Sequence, residues 1–428
     1  MKRPWFMHYA PHVPHTLQYP SIPVHEFLIR TAVEHPNNIA MTINDQDTTY
    51  AELNDKVNRF ARILQEQGIK KGDRVALILI NSPIYVISFF ALMKLGAIAT
   101  NLSVGITGDE LANCLNNAGA RMAITLDLFA RNLYAVIDKT SVKTVILHSV
   151  FGLEKKLAHG NAMPEPLIYS DLMTEVTNTP EPDVDILPET VAVLQYTSGS
   201  TGAPKAATLS HANLVASTCQ SDVWIGISDM GNAAVLCVIP FFHVFGLLAG
   251  LMISVKKGYR MLLLPRMDAM DILSLTKILE TYKPVSFPAV PSLWSAILSL
   301  SDDRAKAQLS SLLVATSGGS PVPPRLHERY SALTGKRMLE AYGLSEASSA
   351  THTAPYPAGA PSGSIGIPLP DTDAKIMDIE TGTRECPPGE IGELIVKGPQ
   401  IMRGYWNNEE LTAGSLRVGW FYTRDLAR

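Results

Sequence analysis

The 428-residue sequence predicts an α/β fold: two doubly wound, mostly parallel sheets with helices on both faces, and a small β-rich sub-domain near the C-terminus. Short apolar runs alternate with helical or looped stretches along most of the chain, a pattern typical of parallel strands connected by helices. These runs are too numerous for one ordinary sheet. After about Thr351 the chain becomes rich in proline and glycine, and the strand-like stretches that follow indicate the smaller sub-domain.

The elements can be assigned in order from the N-terminus. TYAELNDKVNRFARILQEQG predicts a helix, because Thr49 and Glu52 form a capping-box pattern and Gly68 marks the end. DRVALILI is a solid apolar run that suits a strand buried on both faces. Similar runs predict strands at RMAITL, VKTVILHS, TVAVLQY, AAVLCVIP, YRMLLLP, VSFPAVP, SLLVATSGG, TDAKIMD and GELIVKGP. We therefore expect one large domain, residues 1–428, with α/β halves at 20–190 and 191–350 and the β-rich part at 351–428.

Composition excludes several classes of protein. Hydrophobic residues make up 46% and charged residues 18%, as in globular chains. The net charge is −4 with both signs mixed, so we expect no nucleic-acid partner. The four cysteines form no CxxC pair, which favours reduced thiols over zinc or disulfides.

Nothing in the sequence predicts a membrane span or a secretory signal. MKRPWFMHYAPHVPH has no apolar run behind its charges. The most apolar region, VALILINSPIYVISFFALMKLGAIAT, is broken by Asn81, Ser82 and Pro83 and again by Lys94, so it predicts a strand, a turn and a buried helix. We expect a cytoplasmic protein without an integral membrane segment. The sequence does not specify its oligomeric state.

A loop rich in hydroxyls and glycines follows the strand TVAVLQY, within LQYTSGSTGAPKAATLSH. Ligands of open α/β sheets bind at the carboxyl ends of strands, where this loop begins. Gly199 and Gly202 allow close backbone approach, while hydroxyls, backbone N–H groups and Lys205 supply donors and positive charge. The loop suits a polyphosphate, although it matches neither a Walker loop nor GxGxxG. Ser/Gly-rich segments alone are more often polar turns between a strand and a helix.

The ordered sequence YTSGSTGxPK closely resembles the phosphate-binding signature of adenylate-forming enzymes: acyl-CoA synthetases, peptide-synthetase adenylation domains and firefly-type luciferases. Further motifs follow in the family's order, namely PFFHVFG, TSGGSPVP, EAYGLSE, GELIVKGPQIMRGYW and GWFYTRD. KRPWF…VPH…YPSIPVHEFL and PFFHVFGLLAG are most similar to bacterial long-chain fatty-acid–CoA ligases. The resemblance implies the large N-terminal domain of such a ligase. Its reaction joins a fatty acid to ATP as acyl-AMP, releases pyrophosphate, and transfers the acyl group to CoA.

The resemblance also implies roles for individual residues. Glu346, with Thr201, would hold Mg²⁺, a hard cation that prefers oxygen ligands. The residues implied at the reacting groups are Thr197, Lys205, Ser345, Glu346 and His243. The implied ATP contacts are Thr197, Ser198, Gly199, Ser200, Thr201, Gly202 and Lys205 at the β- and γ-phosphates, Gly318, Gly319, Ser320, Glu340, Ala341, Tyr342 and Gly343 around adenine, Ser345 at the α-phosphate, and Asp425 at the ribose.

Each role has a structural alternative. Glu346 could be a solvated residue at a helix start, and Tyr342 a core tyrosine instead of a ring stacked on adenine. A lone histidine in an apolar stretch, such as His243, is usually a satisfied core residue. Its motif position instead implies an active-site wall near the acyl carboxylate, without a role as general base. Acyl contacts are expected from this segment and from Val285–Trp294, which would form an apolar tunnel.

Three positions depart from the common family pattern. Ala206 and Arg424 stand where glycine is usual, and Ser345 stands where threonine is usual. Arg424 would tilt Asp425 away, pair with it, or reach a phosphate. The family pattern also includes a smaller C-terminal domain that carries a catalytic lysine, and we expect this domain to be absent here. We therefore expect a chain, excised or naturally truncated, that binds Mg-ATP and acyl-adenylate but turns over slowly.

Two other functions stay open at this stage. The chain could be a non-catalytic nucleotide- or acyl-binding relic of the fold, or it could adenylate another carboxylic acid, because a fold alone does not define a substrate. A hydrophobic acyl substrate would also allow peripheral contact with a membrane.

Overall fold

The computed structural model describes residues 3–149, 164–177, 179–197, 204–227, 231, 233–264 and 272–428. Within these ranges the strands are β1 (Ile39–Ile43), β2 (Gln46–Thr49), β3 (Arg74–Ile78), β4 (Ile98–Asn101), β5 (Met122–Leu126), β6 (Thr144–His148), β7 (Leu167–Ile168), β8 (Val191–Thr197), β9 (Lys205–Ser210), β10 (Ala234–Cys237), β11 (Arg260–Leu263), β12 (Ser286–Ala289), β13 (Val314–Gly318), β14 (Leu339–Leu344), β15 (Ser349–Thr353), β16 (Ile367–Pro368), β17 (Asp373–Met377), β18 (Gly392–Lys397), β19 (Leu416–Arg417) and β20 (Trp420–Ala427).

The α-helices cover both faces of the two larger sheets, as predicted. They span Glu26–Glu34, Tyr50–Glu66, Pro83–Leu95, Gly108–Ala118, Asp127–Tyr134, Tyr169–Glu175, His211–Ile225, Val244–Gly246, Ile253–Lys257, Ile272–Tyr282, Pro291–Leu298, Asp302–Leu309, Pro324–Thr334 and Glu409–Ser415. No helix among the described residues is long and apolar enough to cross a bilayer.

Local sequence explains the first helices. In Tyr50–Glu66, the Thr49 hydroxyl accepts from the Glu52 backbone N–H, and the Glu52 carboxylate accepts from the Thr49 N–H. This is the predicted capping box. The helix Pro83–Leu95 is apolar on all sides, and its residues from Ile84 to Leu95 are buried between the sheet and neighbouring helices. The predicted strand, turn and buried helix are therefore confirmed in this region.

Two larger sheets and one small sheet make up the architecture, which confirms the predicted fold class. The seven-stranded sheet has the order β7-β6-β5-β3-β4-β8-β9, and all its pairs are parallel except β8 with β9. The nine-stranded sheet has the order β16-β15-β14-β13-β12-β10-β11-β1-β2, with antiparallel pairs at its two ends. The small sheet, β17-β18-β20-β19, is antiparallel and forms the predicted β-rich part.

The boundary between the two larger sheets does not follow residue 190. Strand β1 pairs with β11, and β2 pairs with β1, in the nine-stranded sheet, although both lie in the predicted first half. Strand β8 pairs with β4, and β9 pairs with β8, in the seven-stranded sheet, although both begin the predicted second half. Ladder partners so distant in sequence leave no mark in the local hydrophobic pattern, so the crossing was not predictable.

The segment that follows β18 forms backbone hydrogen bonds with the edge of β9. Arg403 and Trp406 donate their backbone N–H groups to the carbonyl oxygens of Thr208 (3.0 Å) and Ala206 (2.8 Å), and the Thr208 N–H donates to the Gly404 carbonyl (2.9 Å). Ala206, one of the three departures from the family pattern, is buried in this pairing. The contacts hold the small sheet beside the carboxyl end of β8, where the polar loop leaves.

Candidate active site

A polar cleft opens between the end of β8, the turn after β14 and the strand β20. Hydroxyls, carboxylates and cations dominate its lining, so it suits a charged ligand. The predicted site residues that the cleft brings together are Thr197, Lys205, His243, Ser345, Glu346 and Asp425.

Thr197 and Lys205 face each other across the open end of the β8–β9 hairpin. They form the last pair of the antiparallel ladder, and the Thr197 hydroxyl donates to the Lys205 carbonyl oxygen at 3.5 Å. Lys205 therefore begins a strand, whereas a turn between a strand and a helix was the structural alternative. The predicted phosphate contacts between these two positions lie outside the described residues: Ser198, Gly199, Ser200, Thr201 and Gly202.

Glu346 is held at the cleft by contacts from a neighbouring segment. It lies in the short 3₁₀ turn Ser345–Ala347, and its Oε1 accepts from the Tyr405 hydroxyl at 2.7 Å. Its carbonyl oxygen accepts from the Met402 N–H at 2.7 Å. Burial, and then the negative charge of Glu346, raise the pKa of Tyr405, so this phenol stays a donor at neutral pH. The hydrogen bond thereby orients the carboxylate.

Tyr342 and Asp425 are joined by a direct hydrogen bond. The Tyr342 hydroxyl donates to Asp425 Oδ2 at 2.5 Å. Burial, and then the hydrogen bond to Asp425, raise the pKa of Tyr342. The contact connects β14 to the last strand of the small sheet, and it places an aromatic ring and a carboxylate at the same corner of the site.

Two glycines allow the strands around Tyr342 to approach closely. A Cβ on Gly343 would lie 2.0 Å from the Ser349 carbonyl oxygen, and a Cβ on Gly318 would lie 2.8 Å from the Ala341 carbonyl oxygen. In both cases the obstacle is backbone, which cannot rotate away. Only glycine fits these two positions of the predicted adenine segment.

Arg424 occupies a backbone conformation that favours glycine. Its φ is +65°, in the left-handed region, and its N–H donates to Glu393 Oε1 at 2.9 Å. This explains physically why glycine would suit the position. The side chain is exposed and lines the polar cleft, while the Asp425 carboxylate accepts from Tyr342.

We expect Arg424→Gly to stabilise the protein by about 0.5–1 kcal/mol. A side chain in the left-handed region costs about 1–2 kcal/mol, of which roughly half returns as extra unfolded-state freedom for glycine. Arg424→Ala is the matched control, because it removes the cation but keeps the Cβ. The midpoints of urea unfolding test this. Equal midpoints for the two variants would show that the conformation stores no strain.

An apolar pocket adjoins the polar cleft. His243 lines both spaces and is therefore the point at which they meet. The predicted segment Val285–Trp294 is not part of this lining. Trp294 is fully buried in a separate core cluster, and the acyl contacts expected of this segment stay a prediction. The pocket is lined by Ser221, Trp224, Ile225, His243, Val244, Phe245, Leu248, Ala249, Ile253, Thr316, Gly318, Gly319, Leu339, Ala341, Tyr342, Gly343, Ser349, Ala350, Thr353 and Leu369.

The hydrogen bonding of His243 defines its tautomer. Its Nδ1 accepts from the Phe245 N–H at 3.2 Å and caps the short helix that follows. The ring proton therefore resides on Nε2, which is left as a donor. Desolvation by the surrounding pocket walls lowers the pKa of His243, so the ring is neutral at pH 7. A neutral Nε2–H donor fits a wall residue and does not fit a general base.

Two predicted nucleotide contacts are not part of either lining. The carboxylate of Glu340 is buried and accepts from the Val322 N–H at 3.2 Å, and it lies 3.2 Å from Nε2 of His327. Its contacts therefore stabilise the loop and helix after β13. Ser320 is exposed beside this loop. Sequence reasoning missed Tyr405, although it lies in the motif GELIVKGPQIMRGYW, and it also missed the pocket residues Trp224 and Leu369, whose positions no motif marks.

Comparison with known proteins identifies the family. The model of the AMP-binding enzyme family matches residues 28–406, and the chain belongs to this family. Over 99% of its length it is 35% identical to the long-chain-fatty-acid–CoA ligase of Bacillus subtilis, and over its whole length 32% identical to the enzyme of that name from Escherichia coli O6:H1. The chain spans 78% of each relative.

Solved structures agree with this assignment. A long-chain-fatty-acid-CoA ligase from Archaeoglobus fulgidus superposes with a TM-score of 0.81 at 25% identity, covering 98% of this chain and 84% of that one. An anthranilate CoA ligase in complex with anthranoyl-AMP gives a TM-score of 0.86 at 22% identity, over 96% of this chain and 76% of that one. The similarity to the anthranilate CoA ligase supports the fold assignment alone.

Proposed function

We propose that this chain is the nucleotide- and acyl-binding part of an AMP-forming fatty-acid–CoA ligase acting on long-chain acids. The observation that carries the proposal is the junction at His243, where a polar cleft with Lys205 and Glu346 meets an apolar pocket. Such a junction can hold a polyanion and an acyl chain end to end. The ligase names of the two bacterial relatives favour the same substrates.

In this proposal the chain's own residues position the reacting groups. Lys205 and Thr197 neutralise and hold the phosphates of ATP at the hairpin end. The Ser345 hydroxyl donates to the α-phosphate, and His243 Nε2–H donates toward the acyl carboxylate. Displacement at phosphorus depends on alignment and charge neutralisation more than on covalent help from the protein. CoA is the proposed acceptor in the second half-reaction.

Tyr342 and Asp425 would hold the nucleoside in this scheme. The ring of Tyr342 offers a flat apolar face to adenine. The carboxylate of Asp425 can accept from both ribose hydroxyls, with the Tyr342 hydroxyl exchanging for one of them.

The residues present also fit Mg²⁺. No group of three or more His, Cys, Asp or Glu side chains within the described ranges could hold a metal by itself. A single carboxylate suits Mg²⁺, which is commonly bound through one or two carboxylates and substrate phosphates. Glu346, oriented by Tyr405, would be the protein ligand, and Mg²⁺ would supply charge neutralisation at the phosphates. Thr201 stays a predicted second contact outside the described residues.

A cytoplasmic location also stays a prediction. Adenylation of another carboxylic acid is the second candidate function. The anthranilate ligase of the same fold shows that the scaffold also serves aryl acids.

Calorimetric binding of acyl-sulfamoyl adenosines with short, medium and long chains tests the proposal. We expect affinity to rise by about four-fold per buried methylene until the pocket is full. Affinity independent of chain length would support an adenylate site for a different acid. Absence of binding at every length would refute the proposal and favour a non-catalytic relic.

A further inference from the structure

The N-terminal arm, defined as residues 3–19, packs behind the wall of the apolar pocket. Trp224 and Leu369 line that pocket, and they are 2% and 1% exposed because Val13, Tyr9 and Ala10 of the arm cover their far side. Neither residue lines the polar cleft. The arm therefore forms the outer layer of the pocket wall, and Trp224 and Leu369 form part of its inner surface.

Tyr9 contacts both parts of this wall. Its ring meets Trp224 edge to face, with centroids 5.0 Å apart and an interplanar angle of 88°. Its hydroxyl donates to the Pro368 carbonyl oxygen at 2.7 Å, directly before Leu369. The Trp224 Nε1–H also donates to the Ala354 carbonyl oxygen at 3.0 Å. The Tyr9 ring therefore packs directly against the indole.

Polar contacts at both ends hold the arm against the body of the protein. Arg3 forms a bidentate pair with Asp373, at 2.7 and 3.0 Å. The Asp371 carboxylate accepts from the Thr16 hydroxyl (2.5 Å), the Leu17 N–H (2.8 Å) and the Tyr19 hydroxyl (2.8 Å). Both acidic residues belong to the β-rich part, so the arm spans from the pocket wall to the small sheet.

The arm also crosses the end of the helix that carries Trp224. A Cβ added to Gly226 would lie 2.3 Å from the imidazole Nε2 of His12. Gly226 has φ +60° and ends the helix His211–Ile225. The close crossing leaves no gap between the arm and the helix end, so the arm limits outward movement of the wall.

We propose that the N-terminal arm determines the acyl chain length that the pocket accepts, with Tyr9 as the positioning residue and Trp224 and Leu369 as the wall it supports. This inference rests on the proposed acyl-binding function and names a determinant of its specificity. Removing the Tyr9 ring creates space behind Trp224. The indole can then turn outward, and the pocket gains length without any change in the polar cleft.

The test is calorimetric binding of acyl-sulfamoyl adenosines of increasing chain length to the full chain and to Tyr9→Ala. We expect the chain length of tightest binding to increase, with a gain of ~10-fold for chains just beyond the wild-type optimum, since each further buried methylene contributes about four-fold. Tyr9→Phe keeps the ring and should retain the wild-type profile. Tyr282→Ala is the matched control, because Tyr282 contacts Asp45 and Arg260, which line neither space.

The outcomes separate this inference from the function on which it rests. A chain-length profile that is unchanged in Tyr9→Ala, or weakened equally at all lengths, overturns the inference and leaves the proposed function standing. Absence of chain-length dependence in the wild-type protein overturns both. If Tyr9→Ala does not fold, as judged by circular dichroism, Trp224→Phe provides the same test from the pocket side, with the same expected shift to longer chains.

Discussion

Glu346→Gln is expected to lower the rate of pyrophosphate release from ATP and a fatty acid by ~10²–10³-fold. The substitution keeps the shape of the side chain and the hydrogen bond that the Tyr405 hydroxyl donates to Oε1 at 2.7 Å. It removes the negative charge that is proposed to hold Mg²⁺. The measurement is pyrophosphate formation at saturating ATP. A parallel titration of ATP binding with Mg²⁺ should show that the variant loses most of its metal dependence.

Glu385→Gln is the control for this experiment. Glu385 is 58% exposed and pairs with Lys375 at 2.7 Å, away from the cleft. Exposed pairs of this kind contribute little, so the control should retain the wild-type rate. If Glu346→Gln also retained it, Glu346 would not be the metal ligand, and the orientation by Tyr405 would be purely structural.

Acid is expected to unfold the protein between about pH 6.5 and pH 4.5, because three histidines are buried in the neutral form. Burial lowers the pKa of His211 to about 3, and those of His25 and His352 to about 4. An added proton would go to Nδ1 of His211, which faces the Val24 N–H donor, and to Nδ1 of His25, which has no hydrogen-bond partner, so no acceptor in place would compensate it.

The sign of the effect follows from proton linkage. A folded-state pKa below the unfolded value of about 6.5 means that the unfolded chain binds more protons. The stability is therefore complete above about pH 6.5 and declines as the pH falls toward the folded-state values. Each histidine contributes up to about 1.4 kcal/mol per pH unit, or about 2.7 kcal/mol by pH 4.5 for His211. The sum for three is comparable with the whole stability of a typical protein.

The free energy of unfolding in urea, measured from pH 7 to pH 5, tests this prediction. His211→Asn should reduce the slope by about one proton, since the amide oxygen can accept from the Val24 N–H in place of Nδ1, which does so at 3.1 Å. His8→Gln, at an exposed position of the arm, should leave the slope unchanged. A flat profile in the wild-type protein would contradict the prediction.

Much of the fold was predictable because local sequence patterns specify it. The capping box at Thr49 and Glu52 is a short-range arrangement, complete within one helical turn. Solid apolar runs identified the buried parallel strands, since both faces of such strands are covered. The motif order also placed Lys205, Glu346 and Asp425 in one site, and the cleft confirms that they lie together.

The structure alone decided which strands share a sheet and which side chains meet. Pairing of β1 with β11 joins residues more than two hundred positions apart, and no local signal specifies such a ladder. The contacts of Glu340 with Val322 and His327 likewise depend on how the helix Pro324–Thr334 packs beside β14, and no local pattern specifies that packing.

Arg424 and the N-terminal arm also separate what the sequence specifies from what only the tertiary structure shows. The sequence by itself determined that an arginine stands at a position where the family usually has glycine, and the structure supplied the reason, a backbone φ of +65°. The sequence also determined the identity of Tyr9 and Trp224. Only the tertiary structure brought them into contact across more than two hundred residues, because close packing depends on the path of the whole chain and not on its local pattern.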